Sequence, residues 1–169
     1  MEHDRPGIEV RMAAADDAAA MAAVLNKAFR EYEPYYTAAG FAATTPTSNQ
    51  LQNRMKEGPV WVALQNGLIV GTAAAVPQGE KLYIRGMAVL TEARGQKVGQ
   101  LLLTEVESYA AAQGFESLFL STTPFLNRAI RLYENFGFHR SREGEDDLFG
   151  TPLFTMVKTI GSGQPDGLA

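Results

Sequence analysis

Met87-Ala88-Val89-Leu90-Thr91-Glu92-Ala93-Arg94-Gly95-Gln96-Lys97-Val98-Gly99, leading through Gln100 into the apolar run LLLTEVESYAAA at 101–112, decides the fold. An apolar strand ends, a turn rich in Arg and Gly follows, and a helix opens. The first amides of that helix have no intrahelical acceptor, and they carry the positive end of the helix dipole toward whatever lies in the turn. Such a turn suits a phosphate-bearing ligand. Gly95 and Gly99 lack a Cβ, so they can take positive φ and let the backbone approach an anion, while Arg94 and Lys97 add charge.

A basic, Gly-containing turn before a helix is also a plain connection in many proteins. A second segment decides between the two readings: Asn127-Arg128-Ala129-Ile130-Arg131-Leu132-Tyr133-Glu134-Asn135-Phe136-Gly137-Phe138. Together the two segments resemble the GNAT superfamily of acyl-CoA-dependent N-acyltransferases. That family shows an Arg/Gln-x-x-Gly-x-Gly/Ala turn after a strand, and later Asn-x-x-Ala-x-x-Leu-Tyr-x-x-x-Gly-Phe. The specific matches lie within 84–138, and the order of elements agrees over 8–158. Lys97 departs from the pattern, because it stands where the family has the first turn glycine. The opening turn of a helix asks for αR geometry, so Lys97 is expected there with ordinary negative φ.

The resemblance implies an α/β (α+β) fold with a mixed, mostly antiparallel central sheet of about seven strands, helices on both faces, and a splay between the fourth and fifth strands. It implies acetyl-CoA as cofactor, held by Met87, Ala88, Val89, Arg94, Gly95, Gln96, Lys97, Val98, Gly99 and Gln100, together with Asn127 and Tyr133. The pantetheine arm would lie in the splay like an added strand. The reaction implied is direct acyl transfer to a primary amine in a ternary complex, with Tyr133 as general acid toward the leaving thiolate. On spacing alone Tyr133 reads as a core residue, since Leu126, Ile130 and Tyr133 share one helical face. Asn127 is equally a local turn-former.

Composition agrees. The 169 residues, 46% hydrophobic and 20% charged, suit one domain, read as 1–160 followed by a loose tail at 161–169. There is no cysteine, which excludes thiolate catalysis and Cys-ligated zinc, and with only two histidines no metal site is expected. A net charge of −4 argues against a general nucleic-acid surface. The start MEHDRPG lacks a signal pattern and no apolar run is long enough to span a bilayer, so no membrane association and a cytoplasmic location are expected.

Along the chain, 8–12 reads as a strand, and Asp16-Asp17 opens an Ala-rich helix to about Arg30. Residues 31–49 read as irregular and 50–56 as helical. Strands follow at 60–64 and 68–76 around the hairpin pair Asn66-Gly67, and then at 82–89. A helix over 98–113 closes at Gly114. A strand at 117–121 precedes a helix opened by Thr123-Pro124 and ending near Phe136. Two last strands are expected at 138–142 and 153–158, separated by an acidic loop at 143–147. An exposed edge at 153–158 would permit a homodimer.

The acceptor, a small-molecule or peptide amine, is less legible. Counting by twos along the strand places Tyr83, Arg85 and Met87 on one face. Arginine stays protonated and is no base, so Arg85 either grips an acceptor carboxylate or pairs with Glu31 or Glu33; Glu80 is a weaker base candidate. The segment Phe29-Arg30-Glu31-Tyr32-Glu33-Pro34-Tyr35-Tyr36 is dense in aromatics and acids and would suit a cationic or aromatic amine. Glu31 and Tyr32 are the acceptor-contact candidates from it. A catalytically inactive acyl-CoA sensor of the same fold is the alternative. A P-loop hydrolase is disfavoured, because the turn lacks the Gly-Lys-Ser/Thr ending that holds Mg²⁺.

Overall fold

A computed structural model describes residues 7–143 and 147–160. The tail at 161–169 and part of the acidic loop lie outside these residues. Strands β1 (Ile8–Met12), β2 (Val60–Gln65), β3 (Leu68–Gln78), β4 (Lys81–Val89), β5 (Ser117–Thr122), β6 (His139–Ser141) and β9 (Phe154–Thr159) form one sheet, in the order β1-β2-β3-β4-β5-β9-β6. All neighbours are antiparallel except β4 and β5. Two short strands, β7 (Asp147–Leu148) and β8 (Thr151–Pro152), pair separately.

Helices α1 (Ala18–Arg30), α2 (Ala38–Thr44) and α3 (Ser48–Arg54) precede β2, while α4 (Val98–Gln113) and α5 (Asn127–Phe136) flank β5 in sequence. Alternation along β2 divides the core between the two faces. Val60 and Val62 pack with Met21, Val24 and Leu25 of α1, whereas Trp61 and Ala63 pack with Leu102, Leu103 and Val106 of α4. The period-2 pattern of one strand therefore builds both layers. Among the described residues no helix is long and apolar enough to cross a membrane.

Local chemistry explains most boundaries. Asn66 (φ 54°) and Gly67 (φ 80°) both take positive φ, as a tight two-residue hairpin requires. Asp17 accepts hydrogen bonds from Arg11 Nη1 (2.8 Å) and the Ala14 amide (2.7 Å), fixing the short turn that feeds α1. The Arg11 guanidinium and that amide hold the Asp17 carboxyl below its ordinary value. The stability this contributes is present above the unfolded carboxylate pKa and is lost as pH falls through the depressed folded value.

Three expectations are corrected. The stretch read as irregular contains α2, capped by Thr37, whose side chain accepts from the Gly40 amide at 2.9 Å; Thr37 also holds the β7–β8 hairpin through its amide to Thr151 Oγ1 (2.9 Å) and its hydroxyl to the Phe149 carbonyl (2.8 Å). Pro124 does not open α5. Thr123 O accepts from Leu126 N at 3.1 Å, a turn intervenes, and Leu126 (φ −86°, ψ 68°) leaves the helical path, so α5 starts at Asn127. Finally, β9 is no edge: it lies between β5 and β6, and its backbone is engaged on both sides.

Candidate active site

Strands β4 and β5 pair only at Lys81–Ser117, Leu82–Leu118 and Tyr83–Phe119. Beyond Tyr83 and Phe119 they diverge, and a cavity of about 590 Å³ opens between Ile84–Val89 on one side and Leu120–Thr123 on the other. The N-terminus of α4 forms one end of it. The first bond of α4 runs from Leu101 N to Lys97 O (3.0 Å), so the amides of Val98, Gly99 and Gln100 have no intrahelical acceptor.

A β-bulge at Gly86 turns the strand as it enters the cavity. Ala74 faces Arg85 and Thr72 faces Ala88, so β4 carries one residue more than β3 between these pairs, and Gly86 absorbs it at φ 60°. The bulge exchanges the faces. Leu82 and Ile84 lie on the α4 side with Met87 and Val89, whereas Ala88 packs in the α1 cluster. Counting by twos through the bulge therefore misplaces Met87, which stands opposite in facing to Tyr83 and Arg85.

The turn after β4 also differs from expectation. Gly95 takes φ 87°, as its lack of Cβ permits. Lys97 takes φ 65°, ψ 24°, the left-handed region, at the N-cap of α4. A residue with a Cβ pays about 1–2 kcal/mol for that conformation. Gly99 has helical φ and serves a different need: a Cβ there would stand 2.7 Å from Leu132 Cδ2 of α5. The first turn glycine of the pattern is thus a matter of φ and the second of close packing. Thermal unfolding is expected to rank variants at 97 in the order Gly, Lys, Val, with Lys97→Val about 1 kcal/mol below wild type. Equal stability of all three would show that the turn relaxes without strain.

Arg94 lines the cavity and lies 3.6 Å from Glu31, which is exposed and does not contribute to the cavity wall. Arg85 pairs with Glu57, not with Glu31 or Glu33. Glu57 follows α3, far along the chain, and no local pattern marks it. Met87, Ala88, Val89, Gly95, Lys97, Val98, Gly99, Gln100, Tyr32 and Tyr83 all line the cavity. Gln96 does not: it is exposed and accepts from Gln65 Nε2 at 2.6 Å. Asn127 is exposed at the start of α5, while its neighbours Leu126 and Arg128 reach the cavity. Glu80 is exposed in the β3–β4 turn, away from the cavity wall.

Tyr133 is buried in the cavity wall, its ring 5.8 Å edge-on from Phe138. Burial pushes its phenol well above the ordinary value, and Tyr36 nearby adds to this. Tyr36 is a site residue that sequence reasoning left among three neighbouring tyrosines. It is buried against Phe125 with ring centroids 5.0 Å apart, and burial pushes its phenol up to about 12, with Thr123 beside it pulling partly the other way. Tyr35 is exposed, so only the second phenol of that pair enters the site. Among the described residues lining the cavity are Arg54, Arg85, Arg94, Lys97 and Arg128, and no Asp or Glu.

Comparison with known proteins bears on this geometry. The profile of the Acetyltransferase (GNAT) family matches residues 21–138. A mouse protein named "Probable N-acetyltransferase family 8 member 5" is 32% identical over 90 residues, which are 50% of this chain and 40% of the relative. Rat N-acetyltransferase 8 is 33% identical over 94 residues, 52% of this chain and 42% of the relative. The chain thus spans less than half the length of these curated relatives. The crystal structure of PaiA N-acetyltransferase from Thermoplasma acidophilum in complex with coenzyme A superimposes with a TM-score of 0.79 at 17% identity, covering 91% of this chain and 99% of that one. YncA from Salmonella typhimurium with acetyl-CoA gives a TM-score of 0.71 at 20% identity, over 90% of this chain and 94% of that one. With the family profile extending from α1 through α5 and the overall fold shared with these neighbours, the chain belongs to the Acetyltransferase (GNAT) family.

Proposed function

We propose that this chain transfers an acetyl group from acetyl-CoA to a primary amine by direct attack, with Tyr133 protonating the departing thiolate. The observation that carries the reading is the wedge between β4 and β5 ending on the unpaired amides of α4. The residues present fit the group. Val98, Gly99 and Gln100 amides with Lys97 and Arg128 suit its phosphates, and Thr122 Oγ1, buried without a partner, offers a hydrogen bond inside the wedge. Acetyl-CoA would supply an activated thioester. The edge of β4 past Tyr83, released from β5, has backbone groups to orient the acyl arm and to polarise its carbonyl.

The amine must lose a proton, because an ammonium of pKa about 10.4 is neutral in only roughly one molecule in 2,500 at pH 7. Among the described residues the cavity wall contains cations and no carboxylate. Neighbouring positive charge disfavours the protonated amine, so the wall itself lowers the acceptor's pKa, and water takes the proton. Tyr133 stays protonated throughout the neutral range because burial raises its pKa.

Calorimetric titration with acetyl-CoA, using ATP as a control, tests the cradle. Acetyl-CoA is expected to bind in the micromolar range, with Kd of order 10⁻⁶–10⁻⁴ M, and ATP at least about tenfold more weakly. Equal binding of both would reduce the site to a general polyphosphate cradle.

A further inference from the structure

Two arginines meet at the far side of the bulge from α4. Arg54, at the end of α3, donates from Nη2 to the Ala43 carbonyl at 3.3 Å, and its Nη1 lies 4.0 Å from where a Cβ on Gly86 would stand. Arg85, three residues before Ala88 on the same α1-facing side, lines the same cavity. Among the described residues one carboxylate answers them: Glu57, whose side chain is 52% exposed, pairs with Arg85 Nη2. Arg85 Nε is buried with no hydrogen-bond partner. Burial and the charge of Arg85 both press the Arg54 guanidinium downward, with Glu57 opposing. The Arg54 guanidinium nonetheless remains charged.

One half-exposed carboxylate offsets only part of this arrangement's cost. Like charges face each other in a partly desolvated wall, and a buried N–H donor is unanswered. Neither group belongs to the phosphate cradle, which lies at the opposite end of the cavity around Lys97 and Gly99. We propose that Arg54 and Arg85 bind a carboxylate carried by the acceptor close to its reactive amine, so that the substrate class is amino acids or acidic amines and not polyamines. The inference rests on the acetyl-transfer reading above and deepens it. Guanidinium forks match carboxylates in charge and shape. A carboxylate held there places an adjacent amine beside Gly86 and Met87, at the mouth of the splay. The aromatic wall of Tyr32, Tyr36 and Tyr83 is left to the acceptor's side chain.

The test compares the common amino acids, each against its own amide, as acceptors at saturating acetyl-CoA by thiol release, and as N-acetylated pairs binding to CoA-loaded protein by calorimetry. Isoglutamine against glutaminamide separates a side-chain carboxylate from an α-carboxylate. At least one acid is expected to exceed its amide by about tenfold or more in kcat/KM or in affinity. In Arg54→Gln and Arg85→Gln that ratio falls to about 1, while acetyl-CoA affinity stays within about twofold of wild type. Arg85→Lys retains the charge but loses the fork, and recovers only part of the preference. A panel in which no acid surpasses its amide by either readout overturns the proposal. Loss of acetyl-CoA affinity in the glutamine variants overturns it too, since the arginines would then serve the cofactor. A wild type that binds no acetyl-CoA removes the transfer reading itself.

Discussion

Tyr133→Phe is expected to lower kcat by about 10²–10⁴, which corresponds to roughly 3–5 kcal/mol of transition-state stabilisation. The ring stays in place against Phe138, since only the hydroxyl is removed, and acetyl-CoA affinity is expected to remain within about twofold of wild type. That split separates a proton donor from a packing residue. A packing residue would move thermal stability and KM without isolating kcat, and a cofactor sensor would show no turnover to lose. The pH profile supplies a second criterion. Burial holds Tyr133 protonated far above neutrality and pushes Tyr36 up to about 12. The rate should therefore rise with pH as the acceptor amine deprotonates, with no falling limb from either phenol below about pH 10. A kcat unchanged in the phenylalanine variant would assign the proton to solvent.

Gly99→Asp is expected to weaken acetyl-CoA binding by about 100-fold or more, roughly 3 kcal/mol. Two effects combine at this position. A Cβ meets Leu132 Cδ2 at 2.7 Å, so the end of that side chain must shift where α5 packs on the turn. The carboxylate also cancels the positive end of α4, where phosphate charge would otherwise be favoured. Gly99→Ala separates these contributions. It keeps the steric demand, met by the flexible end of Leu132, and adds no charge, so its loss should be about tenfold or less. Should the two variants bind acetyl-CoA equally well, the charge of the cradle would have no role in affinity.

Much of the fold is written locally in the chain. Asn66-Gly67 dictates its hairpin because both residues tolerate positive φ, and α4 ends at Gly114 for the same reason, with φ 85°. The strand, turn and helix over 81–113 were legible because strand end, basic turn and helix start are consecutive. What was not legible depends on contacts distant in sequence. Arg85 finds Glu57 across the sheet, and nothing near either residue announces the pairing. Met87 faces away from Arg85 because one glycine shifts the register. A glycine inside a strand is the visible sign of such a bulge, but its effect on facing depends on the partner strand. The helix α2 was legible in principle, since Thr37 stands three residues before Gly40 as a cap, but a short Ala-rich segment amid turn residues has little periodicity to display. Lys97 holds a left-handed conformation that its residue type does not announce.

The three register pairs joining β4 to β5 have a mechanical meaning. They are a short seam between two half-sheets, β1–β4 and β5-β9-β6, whose pairs β3–β4 and β5–β9 are stitched along a greater length. Past those three pairs the seam opens into the cleft. An extended molecule hydrogen-bonded to both lips would act as a missing thread, so the cohesion of the whole sheet and the occupancy of its cleft become one quantity.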